Sequence, residues 1–142
     1  MKIGIGNDHK GLKLKKKIFK YLTRNGFDIV DYGTNDNKSV DYPDYAQKVG
    51  TDVSTKSIDL GILICGTGIG MSISCNKVKG ARCAKVNTVK EAKLAKLHNN
   101  ANVIALSGST FGYKAKKLVN TFINTNYSNE ERHNRRIRKI EL

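Results

Sequence analysis

Cys65 heads the segment Cys65-Gly66-Thr67-Gly68-Ile69-Gly70, between an apolar run and a short helix. A thiol at the positive end of a helix is favoured as its thiolate. A thiolate there can abstract a proton as a general base. Covalent attack as a nucleophile is the rival role. The other two cysteines invite less: Cys83 lies within a strand and Cys75 on a short helix, where cysteine is a small hydrophobe. Gly66, Gly68 and Gly70 let a ligand approach the backbone. The free N–H groups at the helix start suit a phosphate or a developing oxyanion. A turn that only packs well is the plainer alternative, and Thr67 beside Cys65 weighs against it.

Three other groups could act with this one. His9 follows Asp8, which can orient the imidazole or bond a substrate hydroxyl. His98 and Asn99 close the fourth helix. A helix in a βαβ unit runs back along its strands, so its C-terminus lies at the sheet edge opposite Cys65. If His98 reacts, it therefore does so in the site of a second subunit, which predicts an obligate dimer. A histidine that only complements the helix dipole is the alternative. Arg132 and Arg136, four apart, share one face of the last helix. Arginine is the usual clamp for phosphate, although a solvated basic tail is the plainer reading. Dinucleotide binding is rejected. Gly4-Ile5-Gly6 meets His9 where a third glycine is needed, and Gly66-Thr67-Gly68 meets Met71.

These residues require elements that hold them at one edge. Lys2 to Asn7 reads as a strand, Leu12 to Asn25 as an amphipathic helix and Asp28 to Tyr32 as a second strand. Pro43 opens the next helix. Leu60 to Cys65 is apolar throughout, as in a strand buried on both faces. Ile69 to Lys77 is a short helix and Ala81 to Val86 a fourth strand. Thr88 and Glu91 form a capping box for a helix running to His98. A fifth strand spans Val103 to Leu106 and a fifth helix Phe111 to Ile123. A basic helix over Glu130 to Ile140 closes the chain. The alternation predicts a three-layer α/β/α, Rossmann-like fold with a five-stranded parallel sheet and a C-terminal basic helix. Such sheets bind ligands beyond the carboxyl ends of their strands. Asp8 and His9 after strand one, and Cys65 after strand three, stand there.

Composition narrows the function classes. The chain has 142 residues, with 26 Lys and Arg against 12 acids and a formal charge of +14. Lys13, Lys16, Lys17 and Lys20 fall opposite Leu14, Ile18, Phe19 and Leu22 on the first helix, as on a solvated face. No zinc-finger spacing or aromatic-laced basic stripe appears, so no nucleic-acid partner is expected. Three cysteines without metal-ligand spacing predict a reduced, cytoplasmic protein with no metal. No run of ~18 apolar residues is present, so no membrane span is expected.

The motifs together resemble a known family. They are Gly6-Asn7-Asp8-His9-Lys10-Gly11, Asp41-Tyr42-Pro43, Gly61-Ile62-Leu63-Ile64-Cys65-Gly66-Thr67-Gly68-Ile69-Gly70, His98-Asn99-Asn100-Ala101-Asn102-Val103 and Arg132-His133-Asn134-Arg135-Arg136. The chain resembles the type B ribose-5-phosphate isomerases, in the group that also holds galactose-6-phosphate and allose-6-phosphate isomerases. The resemblance runs over nearly the whole chain and implies one sugar-phosphate isomerase domain, residues 1–142. It implies interconversion of ribose 5-phosphate and ribulose 5-phosphate without metal or cofactor. Cys65 matches the base between C1 and C2, and Thr67 with the backbone of Gly66, Gly68, Ile69 and Gly70 matches the group that stabilises the enediolate. His98 matches the ring-opening residue and Asn99 a substrate ligand. Asp8 and Tyr42 match sugar contacts; His9, Arg132 and Arg136 match the phosphate site. The family is dimeric or tetrameric with shared sites. One departure stands out: Ser109 occupies the place of a frequent phosphate-binding arginine, which Arg135 or Lys114 could replace.

Overall fold

The period of two along the central strand divides the core. In the computed structural model, which describes residues 1–142, β3 spans Leu60–Cys65 and is buried along its whole length. Ile62 and Ile64 join one apolar cluster, while Leu63 and Cys65 join the other. Opposite faces of one strand thus serve two cores, as a sheet covered on both sides requires.

β1 (Lys2–Asn7), β2 (Asp28–Asp31), β4 (Cys83–Lys85) and β5 (Val103–Ser107) complete a parallel sheet in the order β2-β1-β3-β5-β4. α1 (Leu12–Arg24), α4 (Val89–Asn99) and α5 (Gly112–Asn124) cover one face through Ile18, Leu22, Ala95, Leu118 and Phe122. α2 (Tyr42–Ser54) and α3 (Ile69–Cys75) cover the other through Val49, Val53 and Met71. α6 (Glu131–Ile140) lies against α4. No helix is long and apolar enough to cross a membrane.

The expected elements all form, with two local differences. The fourth strand pairs only over Cys83–Lys85, shorter than the expected Ala81 to Val86. It is an edge strand with a single neighbour, so Ala81 and Arg82 turn away to meet Val78 and Asn102 instead. A single 3-10 turn, His9–Gly11, also precedes α1. Asp8 starts it by accepting from the Lys10 and Gly11 amides at 3.0 and 3.1 Å.

α1 carries its lysines as expected, with Lys13, Lys16, Lys17 and Lys20 exposed. Lys15 departs from that face. It is buried and bonds Asp31 Oδ2 at 2.9 Å, Asn35 Oδ1 at 2.6 Å and the Thr34 carbonyl at 3.0 Å. A buried ammonium needs such a complete set of partners.

Candidate active site

The chain reverses its direction of sheet growth between β1 and β3, where Asn7 pairs with Ile64. A cavity of about 590 Å³ opens beyond these two strand ends. The Asp8 N–H donates to the Ile64 carbonyl at 3.1 Å, which ties the loop after β1 to the end of β3. Asp8, His9, Tyr42, Cys65, Thr67 and Ile69 line the cavity, with Gly66 and Gly70 at its base. Asp8 and His9 follow β1, Cys65 ends β3, Gly66 and Thr67 lie in the turn after it, Ile69 and Gly70 open α3, and Tyr42 is brought in by the first turn of α2.

Cys65 sits at the inner end and is 4 % exposed. The Gly68 N–H donates to its Sγ at 3.2 Å, so the sulfur is held as an acceptor at the turn. Gly68 can make this turn because its φ is +80°, the left-handed region that glycine enters freely. It faces inward; a Cβ there would meet the Leu106 backbone at 2.9 Å.

The loop amides divide into two sets. Gly68 N is committed to Cys65, and Ile69 N donates to Thr67 Oγ1 at 3.2 Å. The amides of Gly66, Thr67 and Gly70 make no hydrogen bond within the chain. They are the donors left for an anion, together with the exposed Thr67 hydroxyl. Of the run from Gly66 to Gly70 expected at the ligand, the Gly68 and Ile69 N–H groups thus have acceptors within the loop. Gly70 has a separate task. A Cβ on it would lie 2.5 Å from the Tyr42 ring. Its hydrogen lets that ring rest on the loop.

Asp8 does not orient His9. Its Oδ1 is spent on the turn after β1. His9 Nδ1 instead accepts from the Val40 N–H at 3.2 Å. That bond leaves the hydrogen of a neutral ring on Nε2, as a donor. Val40 is thus a positioning partner that no sequence pattern marked, because it lies 31 positions away in an irregular loop.

Ser109 lies outside this cavity. It lines an adjoining cleft of about 480 Å³ on the far side of Gly66 and Thr67, with Lys85 and Lys114. Its hydroxyl is 2.7 Å from Ser107 Oγ, which donates to the Gly66 carbonyl at 2.7 Å. Of the two cations expected to serve in place of an arginine there, Lys114 lines this cleft and Arg135 does not.

His98, Asn99, Arg132 and Arg136 form a second group elsewhere. α4 starts beyond the same sheet edge as the cavity and runs back, so His98 and Asn99 reach the opposite edge. Asn99 is exposed and lines a separate cleft of about 440 Å³ with Arg82 and Glu141. The His98 ring stacks on His133, centroids 4.4 Å apart and planes 14° from parallel. Burial first, then the charges of His98, Arg132 and Arg136, push His133 below the usual histidine range. Arg132 pairs with Glu130 at 2.8 Å on the surface. Such an exposed pair is worth roughly 0–1 kcal/mol.

One chain therefore carries two groups of expected site residues at opposite edges of its sheet. The first has a thiol, a hydroxyl, free amides and polar walls. The second has imidazole and guanidinium groups. No cluster of His, Cys, Asp and Glu that could hold a metal ion occurs.

The chain is similar to proteins that carry out sugar-phosphate chemistry. Residues 3–140 match the family described as Ribose/Galactose Isomerase. The ribose-5-phosphate isomerase B of Escherichia coli (strain K12) is 38% identical over 140 residues, which cover 98% of this chain and 93% of that protein. The crystal structure of a ribose 5-phosphate isomerase from Thermotoga maritima matches with a TM-score of 0.96 at 44% identity, covering 99% of this chain and 97% of that one. The ribose-5-phosphate isomerase B of Mycoplasma genitalium, solved with bound ribulose-5-phosphate, matches at 0.92 and 45% identity over 98% and 93% of the two chains. Over nearly its full length, this chain belongs to the ribose/galactose isomerase family.

Proposed function

We propose that this chain interconverts ribose 5-phosphate and ribulose 5-phosphate. Cys65 takes the proton from C2 of the opened aldose and returns it to C1, while the C2 hydroxyl proton passes to the C1 oxygen to leave the C2 carbonyl. The charge that develops on the C1 oxygen is received by the Thr67 hydroxyl and the free amides of Gly66, Thr67 and Gly70. Asp8 and Tyr42 hold the sugar hydroxyls. His9 offers its Nε2–H to the phosphate. The remaining parts come from a second copy of the chain. Its His98 moves the proton between the ring oxygen and the C1 hydroxyl, its Asn99 steadies the sugar, and its Arg132 and Arg136 clamp the phosphate. The phosphate is remote from the reacting carbons, so its binding energy can hold the opened chain in line.

Residues 1–142 act as one isomerase domain in this reading. The unit is a homodimer or homotetramer in the cytoplasm, with no resident metal or cofactor. Ser109 contributes a hydroxyl at the edge of the cleft, and Lys114 supplies the positive charge there.

The observation that carries the proposal is Cys65 Sγ under the Gly68 amide, at the inner end of a cavity walled by Asp8, His9 and Tyr42. Chelator-treated protein is expected to form ribulose 5-phosphate from ribose 5-phosphate. Absence of turnover overturns the proposal, and a higher kcat/KM on allose or galactose 6-phosphate reassigns the substrate. Cys65→Ala is expected to lower kcat by about a thousandfold or more while the folded circular-dichroism signal persists, as for removal of a reacting group.

A further inference from the structure

α6 buries only one side chain, and it is a histidine. His133 is 6 % exposed, while Arg132, Arg135, Arg136, Arg138 and Lys139 around it are exposed. Its Nε2 has no hydrogen-bond partner. A leucine at this place would seat the helix on α4 without leaving a polar atom orphaned. Helix docking alone therefore does not account for an imidazole here.

His133 lies flat against the half-buried His98 at the end of α4. A stacked aromatic plane restricts rotation of its neighbour in a way that an aliphatic chain does not. The main chain supports the same docking, since the Ser128 N–H donates to the Leu97 carbonyl at 3.0 Å. Tyr127 Oη donates to Asn134 Oδ1 at 2.7 Å, which pins the start of α6. The stack is thus held from both helices. Burial first, then the charges of His98, Arg132 and Arg136, lower the His133 pKa, with Glu130 opposing them.

We propose that His133 is a positioning residue for His98. It fixes the plane of the His98 ring from beneath, so that this ring is presented in one orientation to the site of the second subunit. The inference rests on the isomerase reading above, but the stack itself can be tested without turnover.

The experiment compares full-length wild type, His133→Phe and His133→Leu. Phe keeps a flat ring and has no nitrogen; Leu keeps apolar burial and has no flat ring. With ribose 5-phosphate, His133→Leu is expected to lower kcat about tenfold or more with KM within about twofold, and His133→Phe to recover most of the loss. Ring opening is the affected step. Exchange of the C1 hydrogen of ribulose 5-phosphate with D2O bypasses ring opening, because that ketose has no free C5 hydroxyl to close a ring. That exchange is expected to change by no more than about twofold in either variant. Thermal unfolding is expected to be no lower for His133→Leu.

Wild-type kcat in His133→Leu overturns the proposal. So does a raised KM shared by both variants, which would make the imidazole nitrogen a phosphate ligand. NMR gives the independent arm. The His98 ring protons are expected upfield in wild type and His133→Phe and to lose that displacement in His133→Leu. If they do not move, the positioning role fails whatever the activity. If they move but wild type does not turn over ribose 5-phosphate, the isomerase reading fails while the stack stands.

Discussion

The three glycines after Cys65 look equivalent in the sequence and do different things. Gly68 supplies a left-handed turn that returns its amide to the thiol. Gly66 and Gly70 keep free amides, and Gly70 also makes room for the Tyr42 ring. The pattern showed where a ligand could approach, because spacing and a following helix are local features. It could not show which amide was already spent, because that depends on how the loop folds back over Cys65. This yields a residue-scale prediction. Gly70→Ala places a methyl 2.5 Å from the Tyr42 ring and must displace it. The variant is expected to lose about tenfold in kcat/KM, since small misplacements of a positioning group are costly. The double variant with Tyr42→Ala is expected to be no worse than Tyr42→Ala alone, as for two residues acting through one contact. Steady-state kinetics on the four proteins checks this, and additive losses would mean that Gly70 acts elsewhere.

At the scale of elements, strand and helix identity was legible where the signal lies within the element. β3 is apolar from end to end, and α1 separates Lys13, Lys16, Lys17 and Lys20 from Leu14, Ile18 and Leu22. The capping box of α4 forms as read: Thr88 Oγ1 accepts from the Glu91 amide at 3.1 Å, and Glu91 accepts from the Thr88 amide at 3.0 Å. Features set by tertiary contact were not legible. The turn His9–Gly11 depends on Asp8 finding two amides, burial of Lys15 depends on Asp31, and the stack of His98 on His133 joins residues 35 apart. α4 holds His98 at its far end, so its N-cap has a consequence for the placement of that histidine. Thr88→Ala is expected to cost about 1 kcal/mol of stability. Urea unfolding should show a lower midpoint with an unchanged slope. Activity at low denaturant should hold, because the cap lies ten residues from the histidine. An immediate loss of activity would show that the cap itself faces the reaction.

At the scale of the molecule, strand alternation announced a parallel sheet, and the order β2-β1-β3-β5-β4 then decides which loops meet. It unites the loops after β1 and β3 in one cavity and sends the end of α4 to the opposite edge. The antiparallel return of a crossover helix made that separation readable before any coordinates. A site that needs both halves must borrow one from a second copy. The surface beside the cavity fits that arrangement: Ile69, Ile73 and Tyr42 are 54 %, 59 % and 40 % exposed around its mouth, an apolar rim of the kind that partners cover. Shared sites make a sharp prediction about mixed assemblies. Cys65→Ala and His98→Asn should each be nearly inactive alone. If the dimer shares its sites, a mixed dimer holds one doubly defective site and one intact site. Equal amounts of the two variants, unfolded together and refolded, should then recover about a quarter of wild-type activity, because half the dimers are mixed and half their sites are whole. A wild-type control carried through the same refolding sets the scale. Recovery near zero, with mixed dimers demonstrated by mass spectrometry, would place Cys65 and His98 in the same subunit's site and remove the reason for the dimer.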